Sequence, residues 1–379
     1  IGIDARIIFR RGVGRYISSL VTALLEIDKE NRYYIYLDRN SMLKDYISQK
    51  NCRFVRLNTA NAFLYEQYYL PKAAAKNKID VLHGTDNTIP CMLPLYRGKT
   101  VVTIHDVMFI RPLGKSILKP TVKQRVVDAY NKLVVPMSAK KADRVITVSE
   151  YSRQDIIKHI KISEEKPAVI YEAADKKYRL IKNQKAIERV REKYKISGPY
   201  ILMSAASDLR KNTARTIEAF NIFNNLTEYK YRLVITSISR KELMTTNVEK
   251  KIKELNLEKY VTITDYVNED EMALLYNGAF IFLFPSIWEG FGLQVLESFA
   301  CGLPVVTSDN TSLKEVAGNA AVFIDPYSVE DIVKGLVELE KSEAKRKELI
   351  EKGFERLKSF SWKKAAEETL NVYRQVNGR

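Results

Sequence analysis

The chain of 379 residues is 46% hydrophobic and carries 62 Lys and Arg against 46 Asp and Glu, a formal net charge of +16. It is too long for one ordinary core and suits two domains of about 180 residues each, and no run approaches the ~20 apolar residues of a membrane-spanning helix. The three cysteines, Cys52, Cys91 and Cys301, lie far apart and form no C-x-x-C, which argues against a disulfide framework and against a structural zinc.

The charge is unevenly placed. Residues 1–190 hold 35 basic against 19 acidic side chains, the whole excess, whereas residues 191–379 hold 27 of each. So basic a first half expects an anionic partner, namely lipid headgroups, nucleic acid or an acidic acceptor, unless the bias serves only solubility.

Ile1-Gly2-Ile3-Asp4 reads as a first strand with no basic n-region or apolar signal core before it, so the chain is expected to be soluble and cytoplasmic. The strand runs into Arg10-Arg11-Gly12-Val13-Gly14-Arg15-Tyr16, followed by a helix with Ile17, Leu20, Val21, Leu24 and Leu25 on one face. A lone G-x-G is weak evidence, since a tight turn alone explains it. Residues 33–37 and 54–57 alternate as strands, and residues 65–75 read as a helix. Two short strands follow, one ending in His83-Gly84 and one in His105-Asp106, which puts both histidines at carboxyl ends of strands, where open parallel sheets bind ligands. His159 falls on a helix and reads as a surface residue.

Between Arg111 and Arg125 a cation recurs every four residues, at Arg111, Lys115, Lys119 and Lys123, with Leu113, Ile117, Leu118 and Val122 between them. Pro120 must break or start a helix there. Such a stripe can lie on an anionic membrane, each cation contributing ~1 kcal/mol, or it can be a solvated charged segment. Residues 121–141 read as helical and 144–148 as a strand. Ser149 is placed to cap the next helix, and a last strand spans 168–171. Residues 172–190 have few apolar anchors at first and then turn helical, which suits an interdomain linker.

The second half repeats the alternation. A strand at 200–205 is followed by Ser207-Asp208-Leu209-Arg210-Lys211-Asn212 and a helix over 213–223. An Arg-Lys pair at a strand's carboxyl end is a good clamp for a diphosphate, Arg giving a planar fork and Lys a point charge. Strands at 231–235 and 261–264, a helix at 240–255 and the loop Asp265-Tyr266-Val267 come next. Then follows an apolar run at 279–284, fit for a strand buried on both faces, the turn Glu289-Gly290-Phe291-Gly292, and a helix from Leu293 to Ala300 stopped by Gly302. The glycines let backbone approach a ligand closely, and the helix start attracts phosphate. Glu289 and Glu297 lie roughly 12 Å apart along such a helix, too far for the carboxylate pair of a glycosidase. They read as separate grips on one long ligand. A further strand, a short helix, another strand and three helices complete the chain, the last over 362–376.

The pattern E-G-F-G-L-x-x-x-E followed by C-G-x-P-V-V resembles the signature of the retaining family 4 glycosyltransferases, of the group 1 type found in bacterial cell-surface polysaccharide assembly. The glycine loop, H-D, R-K-N and terminal S-W helix occur in that family's order, so the resemblance spans essentially the whole chain. It implies the α/β GT-B fold: two Rossmann-like parallel-sheet domains facing each other across a cleft, the C-terminal helix returning to the first. The boundaries expected are an acceptor domain at 1–175 joined by 362–379, a linker at 176–195 and a donor domain at 196–361.

The resemblance also implies roles. Gly12 and Gly14 meet the donor phosphate or the acceptor, with Arg10 and Arg11 adding charge there. His105 stands beside the donor sugar, stabilising developing positive charge or binding a hydroxyl. Arg210 and Lys211 contact the donor phosphates, and the backbone at Tyr266 and Val267 holds the base. Glu289 positions the sugar with the backbone of Gly290, Phe291, Gly292 and Leu293, and Glu297 holds the ribose. One departure is Ala205, where the family commonly has Gly. The donor implied is a GDP- or UDP-hexose of mannose or glucose type, passed with retention to a glycan or lipid-linked acceptor at the inner face of the plasma membrane. No D-x-D occurs to present a divalent metal to the diphosphate, so no metal cofactor is expected and the charge falls to Arg210, Lys211 and the helix start. Arg111, Lys115, Lys119 and Lys123 are expected on the acceptor or membrane side. Alternatives are a GT-B epimerase, a phosphorylase with lysine-bound pyridoxal phosphate, or a basic nucleic-acid-binding protein. Against the last, no zinc, helix-turn-helix or RNP-like motif is visible. Oligomeric state is not legible.

Overall fold

The computed structural model describes residues 1–9, 12–39, 50–110, 122–206, 209–228, 230–239 and 247–378. These form two compact units: the described residues up to Glu172 together with those from Ser361 onward, and Ala173–Phe360. Arg10, Arg11, Arg111, Lys115 and Lys119 lie outside the described residues, as does the side chain of Lys123.

The first unit is built on seven parallel strands: β1 (Gly2–Asp4), β2 (Tyr33–Leu37), β3 (Cys52–Arg56), β4 (Val81–Gly84), β5 (Lys99–Ile104), β6 (Arg144–Thr147) and β7 (Pro167–Val169). Their order across the sheet is β3-β2-β1-β4-β5-β6-β7. The chain works outward from β1 on one side, then returns to β4 and works outward on the other. That leaves a crevice beyond the carboxyl ends of β1 and β4, where such sheets receive ligands. The helix Val13–Ile27 starts there from Gly12 and buries Ile17, Leu20, Val21, Leu24 and Leu25, the apolar face its sequence period predicts. Gly14 must be glycine, because a Cβ would stand 2.6 Å from the carbonyl oxygen of Ile7.

One element differs from expectation, and the helical part of the 172–190 stretch takes definite bounds. The helix read over 65–75 is instead a short turn at Ala62–Leu64 capped by Asn61, a π-helical turn at Tyr65–Tyr69 and a helix at Leu70–Lys76. A π turn carries no compositional mark, so periodicity alone smooths it into ordinary helix. The stretch 176–195 holds a ten-residue helix, Gln184–Lys193, whose Lys193 and neighbour Tyr194 both bind Glu271 within the second unit.

The second unit repeats the plan with β8 (Tyr200–Ser204), β9 (Arg232–Thr236), β10 (Val261–Ile263), β11 (Ile281–Phe284), β12 (Val305–Ser308) and β13 (Val322–Ile324). All are parallel, in the order β10-β9-β8-β11-β12-β13. β8 and β11 are fully buried central strands, continuous apolar runs as covered parallel strands must be. Their neighbourhood is the switch point of this sheet. Of the helix read over 240–255, Val248–Glu254 is described.

Candidate active site

Two loops leave the switch point of the second sheet, one after β8 and one after β11, and several short polar side chains bind them together. The loop after β8 carries a 3₁₀ turn, Leu209–Lys211, and then Asn212 in the left-handed conformation at φ 59°. From there Asn212 donates through Nδ2 to the carbonyls of Pro285, 3.1 Å away, and Pro326, 2.6 Å away. The carbonyl of Arg210 accepts from the Ile287 amide at 2.7 Å, and the Ser286 hydroxyl oxygen lies 3.0 Å from it. Arg210 and Lys211 are thereby fixed to the β11 loop through their own backbone.

Glu289 is the chemical centre of this arrangement. Its Oε1 accepts from Lys211 Nζ at 2.6 Å and from Ser286 Oγ at 2.6 Å, and Lys211 lies 4.6 Å from the centre of the Phe284 ring. Burial works against the charge on Glu289, but Lys211, Arg210 and the hydrogen bonds from Lys211 and Ser286 together outweigh it and hold the carboxyl below its ordinary pKa. The result is a buried, charged pair held by one hydroxyl and one aromatic face.

The glycine turn beyond Glu289 is supported from β12 and the loop after it. Ser308 donates to the Ser286 carbonyl at 2.7 Å, Asn310 to that of Ile287 at 3.2 Å, and Ser312 to those of Glu289 and Phe291 at 2.9 and 3.0 Å. Gly292 caps the helix Leu293–Ala300 at φ 98°, where a Cβ would also stand 2.6 Å from the Leu313 side chain. The turn therefore presents a helix N-terminus next to the Lys211–Glu289 pair.

Glu297 lies one turn inside the helix that Gly292 caps. It is 3% exposed, on the buried side of its helix, and accepts from the Tyr276 hydroxyl at 3.2 Å. Glu289, at 8%, is also largely enclosed. Tyr266 and Val267 follow β10 at the edge of the sheet, Tyr266 exposed and Val267 buried. Ala205 is buried, and its amide donates to the Thr236 carbonyl at 3.0 Å.

In the first unit the three histidines separate into three environments. His83 is wholly buried within β4, with Nδ1 2.6 Å from the Tyr373 hydroxyl and Nε2 2.7 Å from the Thr103 hydroxyl. Burial drives its pKa down to about 3, so it is a neutral structural residue and no ligand-facing one. His159 is partly covered and stands 3.7 Å from Asp155 on its own helix. His105, just beyond β5, is 8% exposed. Its Nε2 lies 3.0 Å from the Thr85 carbonyl and its Nδ1 3.5 Å from Glu172, while Tyr16 meets the ring edge-on with centroids 4.8 Å apart. Burial opposes protonation of His105, yet the hydrogen bond and charge of Glu172, with Asp86 and the Thr85 carbonyl, raise its pKa.

Sequence reasoning missed Glu172, Ser286 and the Ser308–Ser312 supports, and it named Asn212 within R-K-N without its role of tying the loops together. Only Glu172 carried a usable signal, a carboxylate following the last strand of its sheet. Among the described residues no group of three or more His, Cys, Asp or Glu side chains is arranged to hold a metal ion, and no helix is long and apolar enough to cross a membrane.

Two Rossmann-like units, one with a lysine, an arginine and a helix start gathered around a carboxylate at its switch point, define an α/β enzyme of the GT-B architecture. Solved structures share that fold: sucrose-phosphate synthase from Thermosynechococcus elongatus has a TM-score of 0.79 at 16% identity, covering 99% of this chain and 98% of that one. Anabaena Alr3699/HepE, in complex with UDP and glucose, gives 0.74 at 13% identity over 99% and 100%. The family model "Glycosyl transferases group 1" matches residues 183–356 and "Glycosyltransferase Family 4" matches residues 10–178. O-antigen chain mannosyltransferase B of Escherichia coli is 26% identical over 381 residues, 96% of each chain. The chain belongs to the group 1, family 4 glycosyltransferases, as its E-x7-E and R-K-N motifs suggested.

Proposed function

We propose that this enzyme transfers a hexose, of mannose or glucose type, from a GDP- or UDP-sugar to a glycan or lipid-linked acceptor in lipopolysaccharide or related surface-polysaccharide assembly. The observation that carries the reading is the Lys211–Glu289 pair beside a helix start at the switch point of the second sheet. Lys211 and Arg210 meet the donor's diphosphate, and the helix start adds its partial positive charge. Glu289, ionised and fixed by Ser286, accepts hydrogen bonds from the sugar's hydroxyls and sets its orientation. The bond from the sugar's anomeric carbon to the diphosphate oxygen breaks, and a bond to the acceptor oxygen forms on the same face. The acceptor's proton passes to the departing diphosphate, so no separate protein base is required.

Several facts support the choice of substrates. The mannosyltransferase relative acts in O-antigen assembly by its description, and HepE is described with UDP and glucose. On this reading Arg210 and Lys211 meet the charge of the donor's diphosphate, and no divalent ion is called on. On the same reading Gly12 and Gly14 meet the donor phosphate or the acceptor, the backbone at Val267 holds the base, and Glu297 takes the ribose in place of its hydrogen bond from Tyr276. The excess of basic residues in the first half suits an anionic membrane face, where a lipid-linked acceptor resides.

Thermal-shift screening with UDP, GDP and ADP selects the nucleotide, since a ligand at a hundred times its Kd adds ~2.7 kcal/mol. Incubation with the matching UDP- or GDP-hexose and a lipid-linked saccharide should then release nucleoside diphosphate and extend the saccharide. Failure of every nucleotide to raise the melting temperature would refute the donor assignment. Indifference to anionic liposomes at low salt would refute the membrane part.

A further inference from the structure

We propose that Glu172 is a positioning residue for His105: it grips Nδ1 while the Thr85 carbonyl grips Nε2, so that the ring enters the transfer reaction as a fixed cation and not as a proton acceptor. The proposal rests on the reading of His105 as a reaction residue of this glycosyltransferase.

The argument begins with what each ring nitrogen faces. A carbonyl oxygen can only accept, so Nε2, 3.0 Å from Thr85, must carry a hydrogen. Nδ1 faces a carboxylate at 3.5 Å, which favours a hydrogen there too. With both nitrogens protonated the ring has no lone pair to offer, and its contribution is charge. The groups packed around it agree. Glu172 is the nearest charge, Asp86 is a second carboxylate, His83 is neutral, and Tyr16 supplies an aromatic edge. Glu172 is itself 5% exposed, so the pair is shielded from screening by solvent.

The ring's orientation is locked by a chain of buried contacts. Tyr16 packs against His105, and its hydroxyl lies 2.9 Å from Thr103 Oγ1, which lies 2.7 Å from His83 Nε2. His83 Nδ1 in turn meets the hydroxyl of Tyr373, on the C-terminal helix Trp362–Val376, at 2.6 Å, and Trp362 stands 6.0 Å from the Tyr16 ring. Glu172 is the last residue of the first unit before the chain passes to the second, and Ser361 is the first after it returns. The grip on His105 is thus built from both points where the chain enters or leaves the unit.

The chain has three histidines, so their titrations can be resolved by NMR on histidine-labelled protein. His105 is expected to titrate above the ordinary histidine value, and Glu172→Gln to lower that pKa by at least about one unit. Glu172→Asp, which keeps the charge, should restore most of the shift. In turnover assays the alkaline limb of kcat should move to lower pH by the same amount in Glu172→Gln, with KM for the nucleotide sugar changed less than about threefold. In a His105→Gln background the second substitution should have no further effect on kcat. An unmoved His105 titration, or an equal loss of kcat in both backgrounds, would overturn the proposal. The titration needs no turnover, so an inactive enzyme with a shifted His105 would count against the glycosyltransferase substrates proposed and leave the grip established. Should Glu172→Gln fail to fold, the titration of the unsubstituted protein decides: a His105 pKa at or below the ordinary histidine value would overturn the proposal.

Discussion

The Lys211–Glu289 pair is a buried ion pair, and the ligand-binding role proposed for it pulls against that structural one. As a buried ion pair it holds the loops after β8 and β11 together, whereas the proposed donor site requires each partner to keep its charge available to a ligand. Removing one partner leaves the other charge enclosed and uncompensated, a cost of ~3–5 kcal/mol. Lys211→Met is therefore expected to lower the melting temperature by about 10 °C, and Glu289→Gln by less, because a neutral amide still accepts from Lys211 and Ser286. The double variant should be more stable than the sum of the two losses, which a calorimetric double-mutant cycle measures. Activity should instead fall by about 10²–10³ in each single variant, with no recovery in the double. The pH dependence has a fixed sign. Because the folded carboxyl titrates below its unfolded value, its contribution is complete at neutral pH and disappears as pH falls from the unfolded value through the folded one. At this scale the motif residues were legible because the E-G-F-G and R-K-N spacings are dense and unusual. The roles of Ser286 and Ser312 were not, because single hydroxyls acquire their roles only when parallel strands bring distant loops side by side.

Helices and strands were largely readable, since each amphipathic helix exposes its period in the sequence, and Trp362–Val376 matches the predicted bounds. What periodicity does not give is the destination of a helix. The C-terminal helix buries Ala365, Ala366, Thr369, Leu370 and Tyr373 in the first unit, although the preceding two hundred residues belong largely to the second. Its most specific contact is the Tyr373 hydroxyl on His83. Tyr373→Phe leaves the packing intact and strips a buried imidazole of one partner, so a loss of ~1–3 kcal/mol is expected in chemical denaturation. The same histidine makes a prediction about acid. Its folded pKa of about 3 lies far below the unfolded value, so the unfolded chain takes up a proton that the folded chain refuses, and stability falls by up to ~1.4 kcal/mol per pH unit below about 6.5. His83→Gln should flatten that slope by one proton between pH 6 and 4. An unchanged slope would show that other groups govern acid unfolding.

At the scale of the whole molecule the same strand order is used twice for unlike purposes. Both sheets open a crevice beyond two central strands, but the first unit surrounds its crevice with Gly12, Gly14 and the His105–Glu172 pair, and the second with Arg210, Lys211 and Glu289. The acid–base balance differs too: the basic excess lies wholly within residues 1–190, and the remainder is neutral. If net charge alone attracted the nucleotide, the first unit would hold it. A diphosphate, however, needs donors fixed at short range more than a diffuse field, because unpaired surface charges are screened within ~10 Å at moderate salt. Hydrogen exchange separates these possibilities. Saturating UDP or GDP, whichever stabilises the protein, should protect amides at 209–213 and 286–295 most strongly and should do so equally at 50 and 300 mM salt. Protection confined to the basic first unit, or lost at the higher salt, would mean that diffuse charge captures the nucleotide and that the Lys211–Glu289 pair is a structural clamp alone.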